Sequence, residues 1–345
     1  MRLQSTVVAS FVSLSLLLAG CGTNSAEATS STIATPDAAT SSSSSGGPAS
    51  SAATSTPASS SGTSTAASSV AISSPASSAS SSLSAASGKV PQRIVSLSPT
   101  ATEDLFAIGA GHQVVAVDSD SNYPTTVPKT KLSAYEPNVE SIAKYNPDLV
   151  VISDDINNIK AQLTKLSIPV LVEPAATSLN GAYEQIQSLG TATGHSAQAT
   201  KTVADMRSGI AALVATVPKR TTPLKYFHEL DNTLYTVSSK TFVGQLYALA
   251  GLKDIADPAN TKSTAYPQLS AEYLLKSDPD LVFLADTKCC QQNAATFAAR
   301  PGFSVLTAVK DKKIIPLDDD VASRWGPRVV QFLQQIVTAV KSVRS

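Results

Sequence analysis

An eleven-residue segment occurs twice in this chain. Glu140-Ser-Ile-Ala-Lys144-Tyr-Asn-Pro147-Asp148-Leu149-Val150 returns as Glu272-Tyr-Leu-Leu-Lys276-Ser-Asp-Pro279-Asp280-Leu281-Val282, with Glu, Lys, Pro, Asp, Leu and Val in register. Each copy reads as a short helix, stopped by a proline that cannot continue it, and then a buried apolar strand: Leu149 to Ile152, and Leu281 to Ala285. The elements upstream correspond as well. Arg93 to Leu97 reads as a strand leading into a helix with Glu103-Asp-Leu-Phe106, and Lys225 to Leu230 as a strand leading into Gly244-Gln-Leu-Tyr247. A repeat of this kind predicts two lobes of like topology.

Further apolar runs at Val114 to Val117, Val170 to Val172 and Ile314 to Pro316 alternate with helical segments, the pattern of α/β lobes with largely parallel sheets. Midway between the copies, Ser196 to Val217 carries Ala199, Val203, Met206, Ile210, Leu213, Val214 and Val217 at helical spacing, between Gly194 and Pro218. Twenty-two residues at 1.5 Å each give a helix of ~33 Å, long enough to lie across both lobes. The expected organisation is a lobe over 89–195, a connecting helix over 196–218 and a lobe over 219–345. Thr100-Ala-Thr-Glu103 has the spacing of a capping box, which would start the first lobe's leading helix and face its N-terminus to the cleft.

Upstream of the repeat the chain changes character. Residues 1–20 hold one positive charge, Arg2, and an apolar stretch from Val7 to Ala19, too short for a membrane-spanning helix and expected to be a signal peptide. It ends in Leu18-Ala19-Gly20-Cys21, where small residues suit a peptidase and the thiol can carry a diacylglycerol. Residues 22 to 88 are nearly all Ser, Ala, Thr, Gly and Pro, with too few large apolar groups to offset the entropy of ordering. From Cys21 to residue 88 a lipidated, disordered linker is expected, with a root-mean-square reach of ~45 Å.

Charge and rare residues exclude several functions. Lys and Arg total 26 and so do Asp and Glu, with no basic run of the kind that neutralises phosphates, so a nucleic acid is not an expected partner. The three histidines, His112, His195 and His228, have no metal-ligand spacing, and neither a metal nor a resident cofactor is expected. His112 and His195 follow glycines in loop-like contexts and should be solvated. His228 sits at a strand end beside Glu229, near the expected cleft; it is either a ligand contact or an ordinary strand-end residue. Ser141-Ile-Ala-Lys144 matches the S-x-x-K of penicillin-recognising enzymes, but Tyr273 replaces its serine in the second repeat and no Ser-Asp-Asn or Lys-Thr-Gly accompanies it. The chain is therefore not read as an enzyme. With Cys21 lipidated, the remaining Cys289 and Cys290 are adjacent; a vicinal disulfide leads over two free thiols or an intermolecular bridge.

The residues over 90–342 resemble a family, the substrate-binding proteins of ABC importers for cobalamin, ferric siderophores and haem, and are most similar to its cobalamin-binding type. The resemblance is carried by Arg93-Ile-Val-Ser-Leu-Ser-Pro-Thr-Ala-Thr-Glu103, Asn122-Tyr123-Pro124, the two Glu-bearing segments, Tyr266-Pro-Gln-Leu-Ser-Ala-Glu272 and Arg324-Trp-Gly-Pro-Arg328. It implies a class III substrate-binding fold: two Rossmann-like α/β lobes joined by one long, rigid helix. It implies that Glu140 and Glu272, one on each lobe, dock on arginines of a dimeric permease. A carboxylate in the first turn of a helix is also favoured by the helix dipole, and a matched pair suits a two-fold partner.

The same resemblance places a ligand between the lobes, against Pro99, Tyr123, Tyr235, Tyr266, Asp320, Arg324 and Trp325. Flat aromatics with a few polar groups suit a large, rigid, partly apolar ligand. Apart from Arg220 and Arg344, the second lobe has only Arg300, Arg324 and Arg328, too few for a strongly anionic tricatecholate. A corrinoid is therefore expected ahead of a hydroxamate-type siderophore or haem. Asp120 and Ala134 stand where cobalamin binders commonly have aromatics. The expected protein is a monomer outside the cytoplasm, held at the cell membrane by its lipid. Replacing Cys21 with Ala should release it to the medium or leave it unprocessed, as read by fractionation and radiolabelled lipid; a cleaved, still lipid-labelled variant would refute the anchor.

Overall fold

A computed structural model describes residues 89–343, so the expected signal peptide, Cys21 and the linker lie outside the described residues. The first lobe runs β1 (Ile94–Leu97), α1 (Pro99–Ala107), β2 (Val114–Val117), α2 (Val139–Ala143), β3 (Leu149–Ile152), α3 (Ile159–Lys165), β4 (Val170–Val172) and α4 (Leu179–Thr193). After the connecting helix α5 (Ser196–Ala215) come β5 (Lys225–Glu229), α6 (Phe242–Leu249), β6 (Lys253–Asp254), α7 (Ala271–Ser277), β7 (Leu281–Leu284), α8 (Ala294–Ala298), α9 (Thr307–Lys310), β8 (Ile314–Pro316), α10 (Asp319–Ser323) and α11 (Val329–Ser342). The sheets are ordered β2-β1-β3-β4 and β6-β5-β7-β8, every pair parallel, so each strand of one has a counterpart at the same place in the other. Strands β1, β3 and β7 are buried along their whole length, as central strands of a sheet covered on both faces must be, which is why they read as unbroken apolar runs. The two-residue strand β6 had no such run to announce it.

The repeat has a structural cause. The aspartate after each proline hydrogen-bonds the start of the neighbouring central strand: Asp148 accepts from Gln92 N and Arg93 N at 2.8 Å each, and Asp280 accepts from Lys225 N at 2.7 Å. Their own amides complete the link by donating to the carbonyls of Arg93 and Lys225, both at 2.9 Å. The cation at each strand start returns to the end of the preceding helical segment, Arg93 to the Tyr145 and Asn146 carbonyls and Lys225 to that of Ser277. This is the favourable end for a positive charge. Asn146 (φ 46°) and Asp278 (φ 44°) make the left-handed bend between helix and proline, which Asn and Asp tolerate better than other side chains.

Helix α5 is 20 residues, about 30 Å long, and stops at Ala215, two residues short of the expected end. It buries Ala199, Val203, Met206 and Ile210 and packs on α4 and α11. The last helix presents Val329, Phe332, Leu333, Ile336, Val337 and Val340 along one stripe, all within the core shared with α5. Removing the carboxylate that starts β5, as in Asp280→Ala, should cost about 1–2 kcal/mol, read as a lowered urea midpoint at unchanged slope; an unchanged midpoint would remove this role from the repeat.

Candidate functional site

The cleft is built on the start of α1. Its cap is Ser98, whose hydroxyl accepts from Ala101 N at 3.3 Å, with Pro99 in the first helical position, where its missing N–H is of no consequence. The expected capping box of Thr100 and Glu103 is therefore corrected. Glu103 is 3 % exposed and turns to the other lobe instead. Its Oε1 accepts from Arg324 Nη1 at 2.7 Å, and its Oε2 accepts from Arg328 Nε at 2.7 Å. Arg324 also donates to Asn122 Oδ1, the Asp120 carbonyl and Asp320 Oδ1, each at 2.9 Å. Trp325 Nε1 reaches Gln185 Oε1 of α4 at 2.7 Å. Gly326 follows at close quarters to α1, since a Cβ there would stand 2.9 Å from Asp104 Oδ1.

Two cavities open beside this junction. One, of about 470 Å³, is the more polar of the two: Pro99 and Thr100 from the α1 start, Asp120, Asn122, Tyr135 and Asp154 from first-lobe loops, and Asp320, Arg324 and Trp325 from the second lobe. Its ionisable carboxylates outnumber its one guanidinium, which is already paired. Asp320 is held below the ordinary carboxylate range: burial works against its charge, but bonds from Lys288 and Asn122 and the nearby Arg324 outweigh it. Lys288 Nζ donates to Asp320 Oδ2 at 2.7 Å and to Asp318 Oδ1 at 2.6 Å. The other cavity, of about 300 Å³, is mainly apolar and lies on the second-lobe side, between Tyr266, Phe242, Val243 and His228. Ala175, Ser323 and Trp325 line both. Beneath them, burial raises the Glu173 carboxyl to about 7, and raises that of Asp104 well above its usual range, with Glu103 adding to the shift.

Of the expected contacts, Pro99, Asp320, Arg324 and Trp325 line the polar cavity, and Tyr266 and Trp325 the apolar one. Tyr123 and Tyr235 line neither. Arg328 stacks over the Tyr123 ring at 4.4 Å, after which the Tyr123–Pro124 bond is cis, and Tyr235 pairs with Gln268 by an isolated bridge. Asp120 and Ala134 do face the cavity. Tyr135 and Asp154 were missed; both lie in loops following strand ends, the usual site of ligand contacts in parallel sheets, and that position was the available signal. Glu140 and Glu272 are exposed in the first turns of α2 and α7, whose caps, Asn138 and Ser270, bond the corresponding amides of Ser141 and Tyr273. The sulfurs of Cys289 and Cys290 face each other in an exposed loop, whose backbone donates to Asp319 from Thr287, Lys288 and Cys289. His195, expected to be solvated, is half-buried and packs edge-on against His112, away from the cleft.

Two lobes of like parallel topology joined by one long helix are matched by known proteins. The family model described as "Periplasmic binding protein" matches residues 94–321. This chain belongs to that family. A cobalamin-binding protein of Halobacterium salinarum is 31% identical over 258 residues, covering 72% of this chain and 69% of the relative. An uncharacterised ABC transporter substrate-binding lipoprotein, YvrC of Bacillus subtilis, is 28% identical over 261 residues, 73% of this chain and 81% of that one. The solved periplasmic haem binding protein HutB of Vibrio cholerae superposes with a TM-score of 0.64 at 26% identity, over 72% of this chain and 98% of that one. As a periplasmic binding protein the chain captures a small ligand outside the cytoplasm, with the lobes held by Glu103. Glu103→Leu takes the carboxylate from Arg328 and from one side of Arg324, which keeps Asp320, and should cost about 3 kcal/mol in chemical denaturation; a loss below 1 kcal/mol would show that the junction rests on other contacts.

Proposed function

We propose that this protein is a lipid-anchored corrinoid-binding protein that delivers its ligand to the permease of an ABC importer through Glu140 and Glu272. The observation that carries the ligand class is the charge of the cleft. Arg300 is bound to Glu229 at 2.6 Å, and Arg324 and Arg328 are bound to Glu103, so the second lobe's central arginines are already neutralised. Asp320, also on the cavity wall, is itself paired with Lys288 and Arg324, which leaves Asp120 and Asp154 as the carboxylates of that wall without an ion pair among the described residues. Such a wall repels polyanions and accepts N–H donors, and a corrinoid is a large uncharged or cationic ring bearing many carboxamides. The name of the Halobacterium salinarum relative supports the same reading. Haem would bring two carboxylates against these acids. A ferric hydroxamate carries little or no negative charge and is the second reading that the same wall supports.

Docking is supported by the matched places of Glu140 and Glu272: each is exposed, second in its helix, and on a different lobe. The lipid anchor is supported by Leu18-Ala19-Gly20-Cys21, and a Cys289–Cys290 disulfide by the facing sulfurs and an extracytoplasmic location. Calorimetry of the full chain in detergent with cyanocobalamin and cobinamide is expected to show saturable binding, weakened ~30-fold by Trp325→Ala. Glu140→Ala/Glu272→Ala should bind as the wild type does yet fail to support uptake. Binding of a ferric hydroxamate but no corrinoid would replace the ligand; undiminished uptake by the double variant would eliminate the docking role.

A further inference from the structure

The wall of the apolar cavity includes one fully buried side chain with a nitrogen that the fold leaves without a partner. His228, near the end of β5, is 0 % exposed and lines this cavity together with Leu230, Val237, Phe242 and Val243. Its Nδ1 stands 2.7 Å from the Tyr247 hydroxyl, whereas its Nε2 has no hydrogen-bond partner among the described residues. Which nitrogen holds the proton follows from the tyrosine. The Tyr247 ring is wholly enclosed, stacked on Tyr226 at 4.0 Å and tilted against Phe283 at 4.9 Å. Burial pushes its hydroxyl well above the usual phenol range, so it keeps its proton, and His228 is its hydrogen-bond partner among the described residues. The phenol therefore donates to Nδ1, and the imidazole proton sits on Nε2.

Burial also brings the His228 pKa down to about 3, so the ring is neutral at any physiological pH. The charged side chain lining the cavity is Lys240, which is exposed at its rim. The start of α6, on the cavity wall, is fixed against the preceding loop: a Cβ at Gly244 would meet the Ser238 carbonyl at 2.2 Å. A buried donor left unpaired costs free energy, and an acceptor supplied by a ligand recovers it.

We propose that the apolar cavity is a second compartment of the ligand site, in which a neutral side arm of the ligand is enclosed and its carbonyl oxygen accepts a hydrogen bond from His228 Nε2–H. This rests on the reading of the ligand as a large, uncharged, carboxamide-bearing ring: its body lies in the polar cavity, and one arm passes Trp325 into the apolar one. The division gives a basis for selectivity. An ester or amide arm is accepted, because its oxygen needs only a neutral donor. A carboxylate arm would be disfavoured beside the neutral imidazole, because the lining cation, Lys240, is exposed at the rim.

The test uses full-length protein labelled with ¹⁵N at its three histidines. Long-range ¹H–¹⁵N spectra before and after cyanocobalamin should show His228 as the Nε2–H tautomer, with that proton moving downfield on binding while His112 and His195 stay put. His228→Phe should weaken cyanocobalamin about tenfold. Ala265→Trp, at an exposed wall position where folding is not at stake, should weaken it by about as much or more by filling the cavity. Saturable cyanocobalamin binding with the His228 signals unmoved and Ala265→Trp at wild-type affinity would overturn the second compartment and leave the corrinoid reading intact. An Nδ1–H tautomer, or a visible-band change showing cobalt bound to the imidazole, would overturn the donor role. No cyanocobalamin binding by the wild type would overturn the ligand reading and this compartment with it.

Discussion

The cleft depends on one buried carboxylate. Glu103 leaves the first lobe from α1 and is met by Arg324 and Arg328 of the second, with almost no water at the contact. Three charges removed from solvent are tolerable only if they remain together, because each alone would be strongly disfavoured in so dry a place. The consequence is geometric. Arg324 also holds the Asp120 carbonyl, Asn122 and Asp320, so the loops on both sides of the polar cavity are referred to a single guanidinium. Opening the lobes widely would break the bonds from Arg324 to Glu103, Asn122 and the Asp120 carbonyl at once, while its pair with Asp320 lies within the second lobe. Joined by the stiff α5 and pinned at Glu103, the lobes are expected to keep the cavity formed with or without ligand.

The same ion cluster sets what the cavity can receive. Arg324 and Arg328 look like anion receptors in the sequence, but they are neutralised by the protein itself. What the wall then offers is acceptor oxygens and aromatic faces, with Asp120, Asp154 and Asp320 beside Tyr135 and Trp325. The adjoining compartment offers the reverse: a mainly apolar wall, with the neutral imidazole of His228 in it. A ligand that fills both must carry donors on one part of its surface and an acceptor on another. Polyamides attached to a rigid ring have that character; iron complexes of multiple catecholates do not.

Each lobe, by contrast, is held together locally and in duplicate. The Pro-Asp pair after α2 and after α7 ends a helix and then anchors the start of the neighbouring central strand, β1 or β5, through the aspartate, while a cation at that strand start returns to the helix end. Eleven residues suffice to specify that corner, and for that reason it is visible twice in the sequence. The exposed glutamates of the two copies take no part in this internal bonding, so their recurrence asks for a reason outside the lobe.

From the sequence alone came the two lobes, the parallel sheets, the connecting helix and the resemblance to a family of binding proteins. These follow from local signals: apolar runs of strand length, a proline after a short helix, and a helical stripe between glycine and proline. The segment Asp320 to Trp325 and Pro99 were also legible as cleft residues, because the motifs around them survive as contiguous stretches. The tertiary structure decided the rest. Glu103 read as a capping residue, since a hydroxyl three positions before a carboxylate is a local pattern; its true partners are more than 200 positions away and announce nothing nearby. Tyr123 and Tyr235 were placed at the site by the resemblance, and neither lines the two cavities, because the direction of a loop side chain is set by what packs around it. His228 showed only that it ended a strand. That it is neutral, enclosed and left with one unused nitrogen depends on Tyr247 and Phe332, which only the folded chain brings against it.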